Sequence, residues 1–480
     1  MAGEVILSVA EADADATRRR LAEVPAGCAR VEIRADRLRA ADLPGLIARS
    51  PRPVLVAARR VEEGGGFDRS EIERGALLKT ALHAGAWVDV EWGGALAGMA
   101  EGAFPDRVVL SAHEVPCRSD ALRSLYAEMA RSRARHLKIV PRAQRPSQGA
   151  AVREVLARAR EDARPLACFA LGEAGTATRV LALSWGSWAT YGSAEAGAET
   201  ADGQLPARTL LEVFDAPALG EDATLFGLVG TPLARSLSPR MHQAGYRALG
   251  LHACYLPFPT GKIEEVEALA KAFGLAGFGV TIPLKEAVAA RCRLADPVAA
   301  RAGAVNTVVV KGDGWEGYNT DGPAARGLLD GHVPLSGATV LVLGVGGTAA
   351  GIGAALQDAG ARVILCGRSP ARTASLARRL GAGALAWEAR ARGAWDVLVQ
   401  ATPLGPAGEE VLPEAALRGR AVLDAAYGTG PTPLVAAARA RGLAAVDGKT
   451  LLAAQAALQF ARLTGREVAV DLLHRAGGPP

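Results

Sequence analysis

The chain has 480 residues, of which half are hydrophobic and 22% are charged, and its formal net charge is +5. This length predicts two or three domains, each able to bury its own core. The composition is ordinary for a soluble globular protein. No apolar run is long and uncharged enough to span a bilayer, and no basic run interleaved with aromatic residues predicts a nucleic-acid site.

The cysteines and the first residues indicate the compartment. Six cysteines lie far apart without metal-like spacing, and the sequence begins without a basic region leading into an apolar stretch. These features predict reduced thiols in a cytoplasmic protein, with no metal and no secretory signal. We expect small anionic substrates as partners, which a mildly positive chain suits, and neither nucleic acid nor membrane. The oligomeric state is not defined by the sequence.

Short apolar runs recur through the first 192 residues, and helix-period stretches separate most of them. The runs lie at 5–10, 30–36, 53–59, 87–92, 107–113, 136–141, 165–171 and 181–191. Eight strand–helix units predict a closed parallel (β/α)8 barrel, whose catalytic residues lie at the carboxyl ends of the strands. The segment 215–222 is the predicted linker, and the barrel domain is assigned to residues 1–217.

Charged residues on these strands predict a polar cavity inside the barrel. The run 30–36 places Glu32, Arg34 and Asp36 on one face, and the run at 87–91 aligns Asp89 with Glu91. Charges on otherwise apolar strands are costly unless they line a polar cavity.

A lysine and a histidine on neighbouring strands predict imine chemistry. Lys138 is flanked by apolar residues in the middle of its strand, and His113 ends the preceding run. Burial favours the free amine, which attacks a carbonyl and forms a Schiff base. The alternative is a lysine that extends from the strand end to solvent.

Residues 5–212 resemble type I 3-dehydroquinate dehydratase. The matching segments are 32–36, Arg59 with 62–65, 88–91, 111–113, 137–139, 178–179 and 202–204. The resemblance implies that Lys138 forms the imine, His113 moves the proton and Glu63 orients the histidine. It also implies that the carboxylate and hydroxyls are bound by Glu32, Arg34, Arg59, Arg179 and Gln204, with Thr200 where a serine is expected.

The pattern restarts at 225–230, and three polar motifs then precede a glycine-rich loop. They are Ser-Leu-Ser-Pro at 236–239, Val-Thr-Ile-Pro-Leu-Lys at 280–285 and Tyr-Asn-Thr-Asp-Gly at 318–322, followed by Gly-Val-Gly-Gly at 344–347. Hydroxyls, a lysine, an Asn-Thr-Asp cluster and a phosphate cradle describe a site for a small polyhydroxy acid beside a dinucleotide.

The glycine loop lies between a strand at 340–343 and a helix from Ala349. This arrangement predicts a pyrophosphate site in a Rossmann domain. The next strand ends in Gly-Arg-Ser-Pro-Ala-Arg at 367–372, where NAD-binding chains usually carry an acid. Arg368 and Arg372 suit a 2′-phosphate, so NADP is predicted over NAD, and the alternative is two solvated arginines.

Residues 225–475 are similar to shikimate dehydrogenase, through the segments 230–239, 279–285, 304–307, 319–322 and 401–405. The resemblance implies a catalytic pair, Lys285 and Asp321. The implied substrate contacts are Ser236, Ser238 and Tyr427 for the carboxylate, and Asn306, Asp321, Gln455 and the nearby Thr281 for the ring hydroxyls. The implied cofactor contacts are Gly344, Val345, Gly346, Gly347, Thr348, Arg368, Ser369, Arg372, Ala401, Thr402 and Gly448.

The catalytic pair also makes chemical sense by itself. Reduction of a ring ketone needs a hydride at carbon and a proton at oxygen, and Lys285 beside Asp321 supplies a cation and an acid–base partner. Taken alone, a surface lysine and a helix cap would be the simpler interpretation. The chain departs from the family pattern at Arg235, Gly279, Gly367 and Gln400.

Together these features predict an α/β protein with an N-terminal (β/α)8 barrel and a shikimate-dehydrogenase-like pair of domains. The substrate domain is assigned to 223–325 with 449–475, and the Rossmann NADP domain to 326–448. We expect dehydration of 3-dehydroquinate and then NADPH-dependent reduction to shikimate. The alternatives are a quinate/shikimate dehydrogenase with an inactive barrel, and a non-catalytic sensor of pathway intermediates.

Overall fold

The computed structural model describes residues 3–312 and 314–478. The chain forms two compact units, one containing the residues up to Ala223 together with Glu267–Gly274 and the other containing the remainder. Among the described residues, no helix has the length and apolarity that a membrane crossing requires.

The first unit contains a parallel eight-stranded sheet in the order β7-β6-β5-β4-β3-β2-β1-β8. Its strands are β1 (Glu4–Val9), β2 (Arg30–Arg34), β3 (Val54–Ala57), β4 (Trp87–Glu91), β5 (Val108–Pro116), β6 (His136–Arg142), β7 (Leu166–Cys168) and β8 (Ala189–Ser193). Its helices are α1 (Ala14–Leu21), α2 (Leu43–Arg49), α3 (Glu71–His83), α4 (Ser119–Met129), α5 (Gly149–Glu161) and α6 (Thr176–Leu181). The sheet curls into a nearly closed barrel, and near its seam the amide of Trp188 donates to the carbonyl of Leu166 at 3.2 Å.

Local sequence signals account for most of these elements. The helix α3 begins with a capping box, in which Ser70 and Glu73 satisfy each other's backbone amides. The strand interiors are apolar and buried, as in Val54–Ala57. Two 3₁₀ helices, Ala97–Glu101 and Pro105–Arg107, replace an α-helix between β4 and β5.

The eighth strand is the one barrel strand whose predicted position is wrong. The prediction was 181–191, whereas β8 begins at Ala189. Leu181 and Ala182 are buried at the end of α6, and Gly186 then reverses the chain with φ +97°. The apolar residues at 181–182 therefore belong to the packed face of a helix, which a short apolar run cannot distinguish from a strand.

The second unit begins with a mixed six-stranded sheet in the order β10-β9-β11-β13-β14-β12. Its strands are β9 (Thr224–Gly230), β10 (Ala253–Pro259), β11 (Gly277–Val280), β12 (Arg293–Leu294), β13 (Thr307–Lys311) and β14 (Gly314–Tyr318). The helices in this stretch of the chain are α7 (Ser238–Ala248), α8 (Ile263–Phe273), α9 (Lys285–Ala289), α10 (Pro297–Ala302) and α11 (Asp321–Asp330), and the part of α8 from Glu267 is grouped with the first unit. The ends of β11 and β14 lead directly to the predicted catalytic motifs.

A second six-stranded sheet follows, entirely parallel and in the order β17-β16-β15-β18-β19-β20. Its strands are β15 (Thr339–Leu343), β16 (Arg362–Gly367), β17 (Gly383–Ala386), β18 (Val397–Gln400), β19 (Ala421–Asp424) and β20 (Ala444–Val446). Its helices are α12 (Gly347–Asp358), α13 (Pro370–Leu380) and α14 (Pro433–Ala440), and α15 (Gly448–Thr464) and α16 (Val470–Ala476) follow. This strand order is that of a Rossmann fold, whose ligand crevice lies at the carboxyl ends of the strands where the order reverses, between β15 and β18.

Candidate active sites

The barrel encloses a polar cavity of about 230 Å³ among its strand ends and following loops. All of the predicted barrel site residues line it: Glu32, Arg34, Arg59, Glu63, His113, Lys138, Arg179, Thr200 and Gln204. The sequence therefore identified residues that the fold brings to one place, although they are spread over most of the first unit.

Lys138 is buried at the centre of this cavity on β6. Its Nζ lies 3.1 Å from Asp89 Oδ2 and 3.5 Å from Glu32 Oε1, and 4.2 Å from the centroid of the Tyr191 ring. Burial by itself opposes the ionisation of Asp89, but the charges of Lys138 and Arg59 outweigh it and lower the pKa of this carboxyl. The amine is thus fixed between two carboxylates and an aromatic face.

His113 lies next to Lys138 in the barrel, on β5. Its Nδ1 is 2.5 Å from Arg59 Nη1 and 4.0 Å from Glu63 Oε2. Burial, followed by the charges of Arg59 and Lys138, lowers the pKa of His113 well below its ordinary value. The ring is therefore neutral at physiological pH, the form a general base requires. The nearest partner of the ring is Arg59 rather than Glu63.

The predicted substrate arginines lie around the cavity with different partners. Arg179 is fully buried, which lowers its pKa to about 10, and Nη2 donates to the carbonyl of Asp202 at 3.1 Å. Within the described part of the chain, its Nε has no hydrogen-bond partner. Arg34 pairs with Asp36 at 2.7 Å. Buried polar atoms that lack partners are costly, so Arg179 retains donor capacity for an anion.

The segment that carries Thr200 and Gln204 closes over one side of the cavity. The amide of Thr200 donates to Gln204 Oε1 at 2.8 Å, and the Thr200 hydroxyl lies 2.9 Å from the hydroxyl of Ser8. Ser8 in turn donates to Glu32. These hydrogen bonds connect the loop to Glu32 on β2 through the hydroxyls of Thr200 and Ser8.

Two side chains that contact Lys138, those of Asp89 and Tyr191, were missing from the predicted site, as were lining residues such as Arg142, Phe169 and Asp202. Asp89 contacts Lys138, and strand alternation had already placed it on the inward face of β4. Tyr191 lines the cavity from β8. Because the predicted eighth strand began at 181, the sequence did not indicate that the Tyr191 side chain points into the barrel. Glu91, the neighbour of Asp89 on that face, pairs with Arg74 of α3.

In the second unit, the predicted catalytic pair is in direct contact. Lys285 begins α9 and Asp321 begins α11, and Lys285 Nζ donates to Asp321 Oδ2. The other carboxylate oxygen accepts from Asn306 Nδ2 at 2.7 Å, and the same Nδ2 lies 3.1 Å from Gln455 Oε1. Lys285 Nζ also donates to Thr348 Oγ1 at 2.8 Å. Lys285, Asp321, Asn306 and Gln455 therefore form one hydrogen-bond network. Thr348, predicted as a cofactor contact, also belongs to it.

A buried layer behind this network was not predicted. Gln459 Nε2 donates to the carbonyl of Asn306 at 2.9 Å, and Gln459 Oε1 lies 3.0 Å from both Tyr255 Oη and His242 Nε2. A Cβ at Gly279 would stand 2.2 Å from Tyr255 Oη, which explains why this chain has no side chain at 279. Gln459 follows Gln455 by one helical turn, and this spacing was the available signal.

The predicted carboxylate ligands form a second group. The Tyr427 hydroxyl is hydrogen-bonded to the Ser236 side chain, and burial raises the pKa of Tyr427. The amide of Ser238, at the start of α7, donates to Ser236 Oγ at 3.4 Å. Thr281 follows β11, and its amide donates to the carbonyl of Val229 at 2.9 Å. Hydroxyls of this kind bind a carboxylate without a buried cation.

The glycine loop has the shape of a phosphate cradle. Gly344 has φ +121°, and a Cβ there would meet the carbonyl of Ala401 at 2.6 Å. A Cβ at Gly346 would point into open space at the amino end of α12, where Gly346, as the N-cap residue, provides no side-chain hydrogen bond. The chain therefore leaves room for a pyrophosphate at this helix end, and the residues present fit NADP.

The neighbouring segments complete the cofactor surface. Arg368 and Arg372 are exposed after β16, and Ser369 Oγ accepts from the amide of Arg372 at 3.4 Å. A Cβ at Gly367 would meet Val345 Cγ1 at 2.8 Å, which leaves no space for a side chain between β16 and the loop. These two arginines occupy the strand end that an acid would occupy in an NAD site.

The remaining predicted cofactor residues follow β18 and β20. Gln400 is fully buried and accepts from both the amide and the hydroxyl of Thr402 at 2.9 Å, so it shapes the loop that begins at Ala401. Gly448 begins α15, and a Cβ there would stand 2.3 Å from the carbonyl of Ala426. Gln400, which departs from the family pattern, therefore makes the hydrogen bonds that shape this loop.

Sequence models of two families match the chain in consecutive segments. Type I 3-dehydroquinase matches residues 5–219, and the shikimate dehydrogenase substrate binding domain matches residues 228–308. The first segment contains the barrel cavity, and the second contains Lys285 and Asn306.

Curated relatives and solved structures match in the same way. Shikimate dehydrogenase (NADP(+)) of Acidiphilium cryptum is 46% identical over 269 residues, covering 54% of this chain and 97% of that protein. The chloroplastic bifunctional 3-dehydroquinate dehydratase/shikimate dehydrogenase of Arabidopsis thaliana is 29% identical, covering 91% of this chain and 77% of that protein. The Thermus thermophilus shikimate 5-dehydrogenase crystal structure with NADP(H) and shikimate is 34% identical, covering 53% of this chain and 98% of that one, with a TM-score of 0.48. The chain belongs to the shikimate dehydrogenase family and carries a type I 3-dehydroquinase unit before the dehydrogenase.

Proposed function

We propose that this chain catalyses two consecutive reactions, the dehydration of 3-dehydroquinate to 3-dehydroshikimate and the NADPH-dependent reduction of that ketone to shikimate. The observation that carries the proposal is that each unit holds its own lysine against a carboxylate, Lys138 with Asp89 and Lys285 with Asp321. The family matches and the bifunctional plant relative support the pairing of the two activities.

In the barrel, Lys138 would attack the ketone carbon of the substrate, and loss of the carbonyl oxygen as water would give an iminium ion. The iminium acidifies the adjacent carbon, and the neutral His113 takes its proton. The protonated His113 then returns that proton to the hydroxyl on the next carbon, which leaves as water, and hydrolysis of the imine returns the free amine. Arg59, which donates to His113 Nδ1, would turn to the anionic substrate and free that nitrogen.

In the second unit, Ser236, Ser238 and Tyr427 would hold the substrate carboxylate, with Thr281, Asn306 and Gln455 at the ring hydroxyls. If held by the glycine loop at 344–347, NADPH would supply the hydride that the carbonyl carbon accepts. Lys285 stabilises the negative charge that develops on the oxygen, and the pair with Asp321 provides the proton. Asp321 is fixed for this role because Asn306 donates to its second oxygen at 2.7 Å.

The proposal assigns the barrel domain to 1–217, the substrate domain to 223–325 with 449–475, and the cofactor domain to 326–448. The cofactor contacts would be Gly344, Val345, Gly346, Gly347, Thr348, Arg368, Ser369, Arg372, Ala401, Thr402 and Gly448. A cytoplasmic location is also proposed, because the six cysteines are all free thiols in the structure.

The decisive experiment mixes purified protein with 3-dehydroquinate and NADPH, without any other enzyme, and follows NADPH oxidation. Steady oxidation is expected, because the second site reduces only the product of the first. The variant Lys138→Met should lose this activity but oxidise NADPH when 3-dehydroshikimate is added. If the wild-type protein needed added 3-dehydroshikimate, the barrel would be inactive and the bifunctional proposal wrong. If neither substrate led to oxidation, both assignments would fail.

A further inference from the structure

The catalytic lysine of the second unit is held from two sides. Its Nζ donates to Asp321 Oδ2 and to Thr348 Oγ1, which is 2.8 Å away. We propose that Thr348 is a positioning residue that orients Lys285 toward the substrate carbonyl, rather than only a contact for the cofactor. This inference rests on the proposed dehydrogenase function of the same site.

The packing of the glycine loop supports this role. A Cβ at Gly347 would stand 2.7 Å from Lys285 Cβ and 3.1 Å from Lys285 Cδ, so the loop backbone lies directly on the lysine stem. Thr348 is the next residue, in the first turn of α12. Gly347 therefore packs against the aliphatic stem of Lys285, and Thr348 accepts a hydrogen bond from its ammonium group.

The hydrogen bonding defines what each partner can do. Asp321 is itself fixed, since Asn306 donates to its other oxygen at 2.7 Å. A threonine hydroxyl accepts a hydrogen bond from an ammonium group but does not take its proton at physiological pH. Thr348 therefore restricts the direction of the ammonium group without competing for the proton that the reaction uses.

This arrangement has a chemical consequence for catalysis. Lysine has a long stem with several rotatable bonds, so a single ion pair leaves its ammonium group free to swing around the carboxylate. A second, charge-assisted contact removes that freedom. Because the contact comes from the pyrophosphate loop, the lysine would be aligned by the same segment that positions the cofactor.

The test compares Thr348→Val, which keeps the side-chain shape, with Thr348→Ser, which keeps the hydroxyl. With 3-dehydroshikimate and NADPH, the valine variant should lose about tenfold in kcat, and the serine variant should recover most of it. The KM for NADPH and the Kd for NADP⁺, measured by fluorescence titration without substrate, should change much less than kcat, because kcat at saturating NADPH does not depend on the strength of the cofactor contact.

Thr464→Val is the matched control, because the Thr464 hydroxyl donates to the carbonyl of Phe460 at 2.8 Å at the end of α15, outside the site. It should keep the wild-type kcat. An unchanged kcat in Thr348→Val, or an NADP⁺ affinity that falls as much as kcat does, would overturn the positioning role and leave Thr348 as a cofactor contact only. Inactivity of the wild-type protein toward 3-dehydroshikimate would instead overturn the proposed function, and this inference with it.

Discussion

Asp89 is a buried carboxylate beside the barrel cavity that contacts two cations, Lys138 and Arg59, and its removal should be costly. The side chain is fully buried and lies 3.1 Å from Lys138 Nζ, 3.2 Å from Arg59 Nη2 and 2.5 Å from Ser111 Oγ. Asp89→Asn keeps the shape but leaves two buried cations beside one nearby carboxylate, Glu32, at 3.5 Å from Lys138. Breaking a buried pair from one side costs about 3–5 kcal/mol, so we predict a loss of unfolding free energy of that size.

Scanning calorimetry measures this loss. For a unit of about 200 residues, each kcal/mol moves the Tm by about 2–4 °C, so the barrel transition should fall by roughly 6–20 °C. The control is Asp120→Asn, which removes an ion pair with Arg118 on the surface, where both side chains are about two-thirds exposed, and should leave the transition in place. If Asp89→Asn left the Tm of the barrel transition unchanged, the reasoning that Asp89 compensates the buried charges of Lys138 and Arg59 would be refuted.

The pH dependence provides a second measurement of the same effect. Burial opposes ionisation, yet Lys138 and Arg59 lower the pKa of Asp89 below its ordinary value of 3.8. A carboxyl with a lowered folded pKa stabilises the protein above its unfolded pKa, and this stabilisation is lost as the pH falls toward the folded pKa. The Tm difference between wild type and Asp89→Asn should therefore be largest near neutral pH and shrink below about pH 4. A difference that grows on acidification would contradict this sign.

Three further predictions concern the two sites. Borohydride with 3-dehydroquinate should trap a covalent adduct on Lys138, and peptide mass mapping that finds the label elsewhere, or finds none, would rule out the imine assignment. Arg368→Ala and Arg372→Ala should each raise the KM for NADPH by about tenfold and leave the KM for NADH unchanged, because only NADPH carries the 2′-phosphate. Equal effects on the KM of both cofactors would exclude a phosphate contact. The acid limb of the kcat/KM–pH profile for dehydration should lie below pH 6.5, the ordinary pKa of histidine. Burial and the charges of Arg59 and Lys138 lower the pKa of His113, so the base stays neutral at lower pH. An acid limb at or above pH 6.5 would count against His113 as the base.

The sequence predicted the parts of the molecule that local patterns determine. Apolar runs with intervening helices predicted the barrel, and the glycine loop after an apolar strand predicted the Rossmann sheet. Most of the predicted residues that line the barrel cavity were identified through the resemblance to type I 3-dehydroquinate dehydratase, whose short motifs the chain carries. Lys285 and Asp321 were identified through the resemblance to shikimate dehydrogenase, and each begins a helix directly after a matching motif.

What escaped prediction depends on how distant segments meet. The hydroxyl of Thr348 reaches Lys285 across 63 positions, and Gln459 reaches the backbone of Asn306 across 153 positions. The one-turn spacing of Gln459 from Gln455 indicates only that the two side chains share a helix face, and which backbone Gln459 meets depends on how distant segments of the second unit pack. The start of β8 was missed for a different reason, since a buried helix end and a strand have similar apolar residues.

The close approach of Gly279 and Tyr255 limits the order in which these positions can change. A Cβ at 279 would collide with Tyr255 Oη at 2.2 Å and stand 3.1 Å from two atoms of the Gln459 side chain, so Gly279→Ala should cost less stability in a chain that already carries Tyr255→Phe. In that order the first change removes one hydrogen bond to Gln459, whereas the reverse order passes through a chain with a steric collision beside the catalytic network. The costs of the two substitutions are therefore not additive, and directed evolution that begins at position 279 would meet the larger cost first.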